Sequence, residues 1–148
     1  MAKHQKLFID EVFPKPAKAT KGGKKKTPAQ RQPSKLEIAF KAAWSLADER
    51  SEFPLASEVV FYPGRRWRLD YAILELCLGI EIQGGTFMGG GHSRGVGQNR
   101  DFEKSNAAIA TGWRVLFADT KMLAPKQIHQ TVASFLAIAR QIKASQAS

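Results

Sequence analysis

Arg68-Leu69-Asp70-Tyr71-Ala72-Ile73 and Leu78-Gly79-Ile80-Glu81-Ile82-Gln83 decide the reading of this chain. Both alternate with the period of a half-buried strand. Trp67, Leu69, Tyr71 and Ile73 alternate with Arg66, Arg68, Asp70 and Ala72, while Ile80 and Ile82 alternate with Glu81 and Gln83. A turn near Glu75-Leu76 would fold the two runs into an antiparallel hairpin at the edge of a sheet. Asp70 and Glu81 would then face each other on its polar side, with Leu69, Tyr71, Ile80 and Ile82 towards the core. Like charges opposed across strands repel, so the pairing calls for a cation or a shared proton between them. Mg²⁺ takes hard oxygen ligands, often one or two carboxylates together with substrate phosphates. The same letters also fit two carboxylates on a solvated face, balanced by Arg66 and Arg68.

Working outward, Ser34-Lys35-Leu36-Glu37 has the form of a capping box, and Leu36, Phe40, Ala43 and Ala47 recur at helical spacing. A helix is expected from Ser34 to about Arg50. Glu58 to Tyr62 reads as a strand, closed by the turn pair Pro63-Gly64. After the second half of the hairpin comes a glycine-rich loop, Gly84 to Gly97. A helix follows over about Asn99 to Thr111, stopped by Gly112. Trp113 to Phe117 reads as a strand, and Pro125 to Lys143 as a last helix with Ile128, Val132, Phe135, Leu136 and Ile138 in its apolar stripe. The order α-β-β-β-α-β-α implies an α/β fold with a small mixed sheet flanked by helices. Trp44, Trp67 and Trp113 fit packing positions, and the lone Cys77 fits a core thiol.

The net charge of +10 is unevenly placed. Residues 1–33 carry nine basic and two acidic side chains, a net of +7; residues 34–148 carry fourteen and eleven, a net of +3. Residues 1–33 are expected to be a basic, largely disordered tail, because Phe13 to Pro33 offers no large apolar group after Phe13. Residues 34–148 form the expected domain. A cationic tail suits a polyanion such as DNA, through release of condensed counterions, and suits equally a solubilising role. No apolar run is long enough to span a bilayer, and the amino terminus lacks the pattern of a signal peptide, so a cytoplasmic location is expected.

On these residues the chain resembles the PD-(D/E)XK nucleases. Asp70 matches the acid of the second strand, Glu81-Ile82-Gln83 matches the (D/E)-x-K element of the third, and Glu37 matches the glutamate of the first helix. The stretch from Trp67 to Phe117, ending in Gly112-Trp113-Arg114-Val115, is similar to the phage-type and very-short-patch-repair-like branches. The resemblance covers about Ser34 to Phe117. It implies a restriction-endonuclease-like core and a Mg²⁺- or Mn²⁺-dependent endonuclease acting on DNA, with no organic cofactor and a homodimer as in many relatives. It implies Asp70, Glu81 and Glu37 as metal ligands, Glu37 being open also to a capping role alone. Leu69 stands where the motif has proline. Gln83 replaces the lysine that would orient water and stabilise charge on the phosphate; Gln can hold a water but adds no charge. Lys104, one turn after Arg100 on the following helix, is the candidate substitute, unless it pairs with Asp101.

Candidate DNA contacts are Arg65, Arg66 and Arg68 at the turn into the Asp70 strand, and His92, Arg94 and Arg100 in and after the glycine loop. That loop lacks the Gly-Lys-Ser/Thr of a phosphate-binding P-loop. Its glycines would let the backbone approach a bulky ligand. His92 could serve as a general base or as plain surface. Two other readings stay open: a catalytically inactive DNA-binding protein on the same fold, and an assembly protein whose tail does the work.

Overall fold

The computed structural model describes residues 31–62, 64–84 and 94–148, and for 94–101 the backbone alone. Thus most of the expected tail, and residues 85–93 of the expected glycine loop, lie outside the described residues. The described elements are helix α1 (Lys35–Ala47), strands β1 (Ala56–Val60) and β2 (Arg68–Ile73), a 3-10 turn (Leu74–Leu76), strand β3 (Leu78–Gln83), helix α2 (Arg94–Ala110), strand β4 (Arg114–Asp119) and helix α3 (Ile128–Gln146). The fold is α/β with a mixed four-stranded sheet in the order β1-β2-β3-β4. The first three strands form an antiparallel meander, and β4 returns parallel to β3 after the α2 crossover. No helix among the described residues is long and apolar enough to cross a membrane.

Local chemistry sets the ends of these elements. Ser34 caps α1 in a complete capping box: its hydroxyl accepts from the Glu37 N–H while the Glu37 carboxylate accepts from the Ser34 N–H. The helix stops at Asp48, whose buried carboxylate accepts from the N–H groups of Glu52 (2.9 Å) and Phe53 (2.8 Å) and so folds the chain back. Trp44 fixes the same turn, its indole N–H donating to the Phe53 carbonyl at 3.0 Å. Helix α2 ends in the paired bonds of a Schellman motif, Trp113 N–H to Ala108 C=O and Gly112 N–H to Ile109 C=O, with Gly112 at φ +88°.

The sheet is covered on both faces. One face carries the main core, in which Phe40, Ala43 and Trp44 of α1 meet Tyr71, Ile73, Leu78, Ile80 and Ala118 of the sheet and Val132, Phe135, Leu136 and Ala139 of α3. On the other, Ala107 and Ala108 of α2 pack on Phe61, Tyr62 and Leu69, flanked by Val59, Trp67, Trp113 and Val115. Successive residues of β4 report the two sides, Val115 joining the second cluster and Leu116 the first.

Four expectations change. Strand β1 begins and ends two residues early, because Phe61 and Tyr62 leave the ladder to fill the space beneath α2. Helix α2 starts at Arg94, inside the segment read as loop. The hairpin strands are the two inner strands rather than an edge pair. Cys77 is exposed, not a core thiol: it closes the 3-10 turn in the left-handed region, φ +46°, between buried Leu76 and Leu78.

Candidate carboxylate site on the inner strands

The site begins with an irregularity. Residues 69 and 71 of a regular strand share a face, yet Leu69 packs under α2 while Tyr71 packs against α1. The alternation therefore breaks at Asp70. Gly79 on β3 makes room for this, since a Cβ there would lie 2.7 Å from Leu69 Cδ1. Asp70 is consequently turned to the seam between the two faces. Its Oδ2 accepts the Ile82 N–H at 2.8 Å, which ties β2 to β3, and its Oδ1 lies 3.1 Å from Arg31. The antiparallel register runs from Ile73–Leu78 to Tyr71–Ile80; beyond it Asp70 turns towards Glu37 and Glu58 and Glu81 towards Lys104 of α2.

Glu81 looks towards α2. Lys104 donates to its Oε1 at 2.7 Å, in a pair whose side chains are 20% and 15% exposed. Lys104 thus pairs with Glu81, and the Asp101 side chain, the partner expected for it on a solvated face, lies outside the described residues. Burial pushes the Glu81 carboxyl above its ordinary range; Lys104 opposes that rise, and the Asp70 charge adds to it. Gln83, at the exposed end of β3, lines the same cleft of about 340 Å³ with Asp70, Glu81, Lys104 and Ser105. Thus four of the five expected catalytic residues border one cleft.

Glu37 lies on the other side of Asp70. It is 3% exposed despite its charge, on the stripe of α1 that faces the core. Its carboxylate joins those of Asp70 and Glu58, with one oxygen from each lying within 4.8 Å of the others. Burial raises the Glu37 pKa, but hydrogen bonding from Ser34 and the Arg31 charge outweigh it, and the net shift is downward. The capping and cluster roles of Glu37 coexist, the cap using the Ser34 N–H and the cluster the proximity of Asp70. Tyr71 underpins the group. Its hydroxyl donates to the Glu37 carbonyl at 3.0 Å, and burial together with the surrounding carboxylates pushes its pKa up to about 12.

Two members of this cluster escaped the sequence reading. Glu58 stands in β1 between the pairs Ser57–Tyr71 and Val59–Leu69, hence across from Asp70. It adopts φ +52°, a left-handed conformation costing a non-glycine residue roughly 1–2 kcal/mol. A two-residue turn at Pro63-Gly64 would pair Glu58 with Leu69, one residue short of Asp70, so the turn signal alone does not bring it there. Arg31, counted with the tail, sits among the acids: its guanidinium lies 3.1 Å from Asp70, 3.1 Å from Glu58 and 3.2 Å from Glu37. Carboxylate oxygens at this spacing are the donor type that Mg²⁺ and Mn²⁺ prefer.

The expected DNA contacts divide. Arg65 stacks over the Trp67 ring at 4.7 Å, Arg66 is exposed, and Arg68 pairs with Glu58 at 3.5 Å rather than with Asp70. Arg94 and Arg100 lie on the α2 backbone, with side chains outside the described set, and His92 lies outside the described residues altogether. Compared with family models, with curated proteins and with solved structures, the chain finds no match in any of the three.

Proposed function

We propose that the chain is a Mg²⁺- or Mn²⁺-dependent DNA endonuclease with a restriction-endonuclease-like core of the PD-(D/E)XK type. The observation that carries this reading is the meeting of Asp70 from β2, Glu81 from β3 and Lys104 from α2 at one cleft. The element order α-β-β-β-α-β-α and the mixed sheet are consistent with it. Asp70, Glu81 and Glu37 would hold the metal, which when bound polarises a phosphodiester and lowers the pKa of a water. Asp70 is oriented for this by the Ile82 N–H. Lys104 brings to the cleft the positive charge that Gln83 lacks, where it can offset charge developing on the phosphate. Gln83 can hold the attacking water by hydrogen bonding. Arg65, Arg66 and Arg68 would meet the DNA backbone, with His92, Arg94 and Arg100 from beyond β3, and the basic tail would add attraction independent of sequence. Phage or prophage DNA processing in a bacterial cytoplasm, by a homodimer where both strands are cut, completes the proposal.

The test is cleavage of plasmid and branched DNA with Mg²⁺ or Mn²⁺, with and without EDTA. Cutting that requires metal and is lost in Asp70→Ala is expected; metal-independent cutting, or full cutting by Asp70→Ala, sinks the reading. A second reading, a catalytically silent DNA-binding protein, is favoured by one feature. Lys104 and Arg31 both engage the acids, and the third motif position carries no charge. It predicts salt-sensitive DNA binding that persists in Glu81→Ala, with no cleavage under any metal.

A further inference from the structure

Arg31 lies outside every role assigned so far. It is 52% exposed, while the acids it touches are far less so: Glu37 3%, Asp70 11% and Glu58 34%. One cation thus neutralises part of three converging carboxylates while keeping a free path to solvent. The three acids carry −3 against +1 from Arg31 and +1 from Arg68, which reaches Glu58. A residual negative charge remains for a stronger cation to satisfy. Asp70 has little to share, because its Oδ2 already accepts the Ile82 N–H and its Oδ1 holds Arg31.

We propose that Arg31 is a built-in competitor for the divalent cation: its guanidinium and the metal occupy the Glu37–Asp70 carboxylates in turn. This rests on the metal-site reading given above. A guanidinium and a divalent ion cannot sit on the same oxygens without strong like-charge repulsion at short range. Metal entry therefore withdraws Arg31 from both carboxylates. The linkage is reciprocal: whatever holds Arg31 elsewhere, such as a phosphate of bound DNA, tightens metal binding by the same factor that metal frees Arg31. Without polyanion Arg31 covers the acids; with it, the cation site becomes available.

The test uses Mn²⁺ alone, without DNA, on the full chain. Titration calorimetry should show Arg31→Ala binding Mn²⁺ about tenfold tighter than the native chain, within the usual range of such couplings. Arg31→Lys, which cannot fork across two carboxylates, should fall between them. On the native chain, Mn²⁺ should speed tryptic cutting after Arg31 but not after Lys26, and EDTA should reverse this. An unchanged or weaker Mn²⁺ affinity in Arg31→Ala, or cutting after Arg31 that Mn²⁺ does not speed, overturns the inference. Tighter Mn²⁺ binding without any DNA cleavage upholds it while refuting the nuclease reading. No Mn²⁺ binding by either chain refutes both.

Discussion

Replacing Lys104 by methionine keeps the aliphatic stem of the side chain and removes its charge. The ion pair it breaks is short, 2.7 Å, and its partners are 20% and 15% exposed. Exposed pairs are worth about 0.2–1 kcal/mol, and loss of one partner of a fully buried pair costs about 3–5 kcal/mol. The exposure puts this pair between those limits, so a loss of about 2 kcal/mol is expected at pH 7.5. For a domain of this size that lowers Tm by about 6–8 °C. The pH dependence follows from Glu81. Burial already raises its pKa above the reference of 4.5, and losing Lys104 raises it further. Between the unfolded and folded values the folded chain binds more protons, so its stability falls as pH rises. The deficit is therefore full at neutral pH, shrinks as pH falls through the raised folded value and is gone below about 4.5. Urea melts of the native chain, Lys104→Met, Glu81→Gln and the double variant, at pH 7.5 and pH 4, measure it. The double variant should recover most of the loss, since no buried charge is left unpaired. An equal deficit at both pH values, or no recovery in the double variant, refutes the reasoning.

Under the proposed activity Lys104→Met should also slow cleavage by about 10²–10³-fold with little change in DNA affinity, read by single-turnover kinetics beside a binding titration; unchanged cleavage would remove Lys104 from the mechanism. Tyr71 should titrate near 12, followed by absorbance in a Tyr62→Phe background. Because that pKa is raised, stability falls as pH climbs from about 10 towards 12, and a midpoint near 10 would contradict the burial argument. Tyr71→Phe should cost about 1 kcal/mol for the lost bond to the Glu37 carbonyl. Gly79→Ala should cost about 1–3 kcal/mol, as the added methyl displaces Leu69 from its seat. If Gly79→Ala keeps full stability in urea, Leu69 has another place to go.

Much of the fold could be read from the chain because its signals are local. The capping box at Ser34, Gly112 after α2 and the alternation of Leu78 to Gln83 each involve residues within one element, and each stands where expected. Expectation failed where a residue answers to a distant partner. Phe61 and Tyr62 carry strand-forming letters, but their place under Ala107 and Ala108 draws them out of β1. Cys77 has the composition of a core position, yet the turn between β2 and β3 demands a left-handed residue there and faces it outward.

The site was legible in proportion to how much of it lies on one hairpin. Alternation singles out Asp70 and Glu81, though not the break at Asp70, and Lys104 needs only that α2 cross over β3. Glu58 and Arg31 depend on tertiary placement: one on the β1–β2 register, the other on a segment whose composition reads as tail. The break in alternation at Asp70 explains why those two belong. Had β2 stayed regular, Asp70 would face α2 with Glu81 and leave Glu37 and Glu58 on separate surfaces. Turning at Asp70, with Gly79 making room for Leu69, lets one carboxylate border both the cleft of Lys104 and the cluster of Arg31. Four acids on α1, β1, β2 and β3 thereby share a single seam with cations that enter from opposite sides. Any divalent ion at that seam must displace or outbid a residue the chain already supplies, so the chain's own cations set the affinity as much as its carboxylates do.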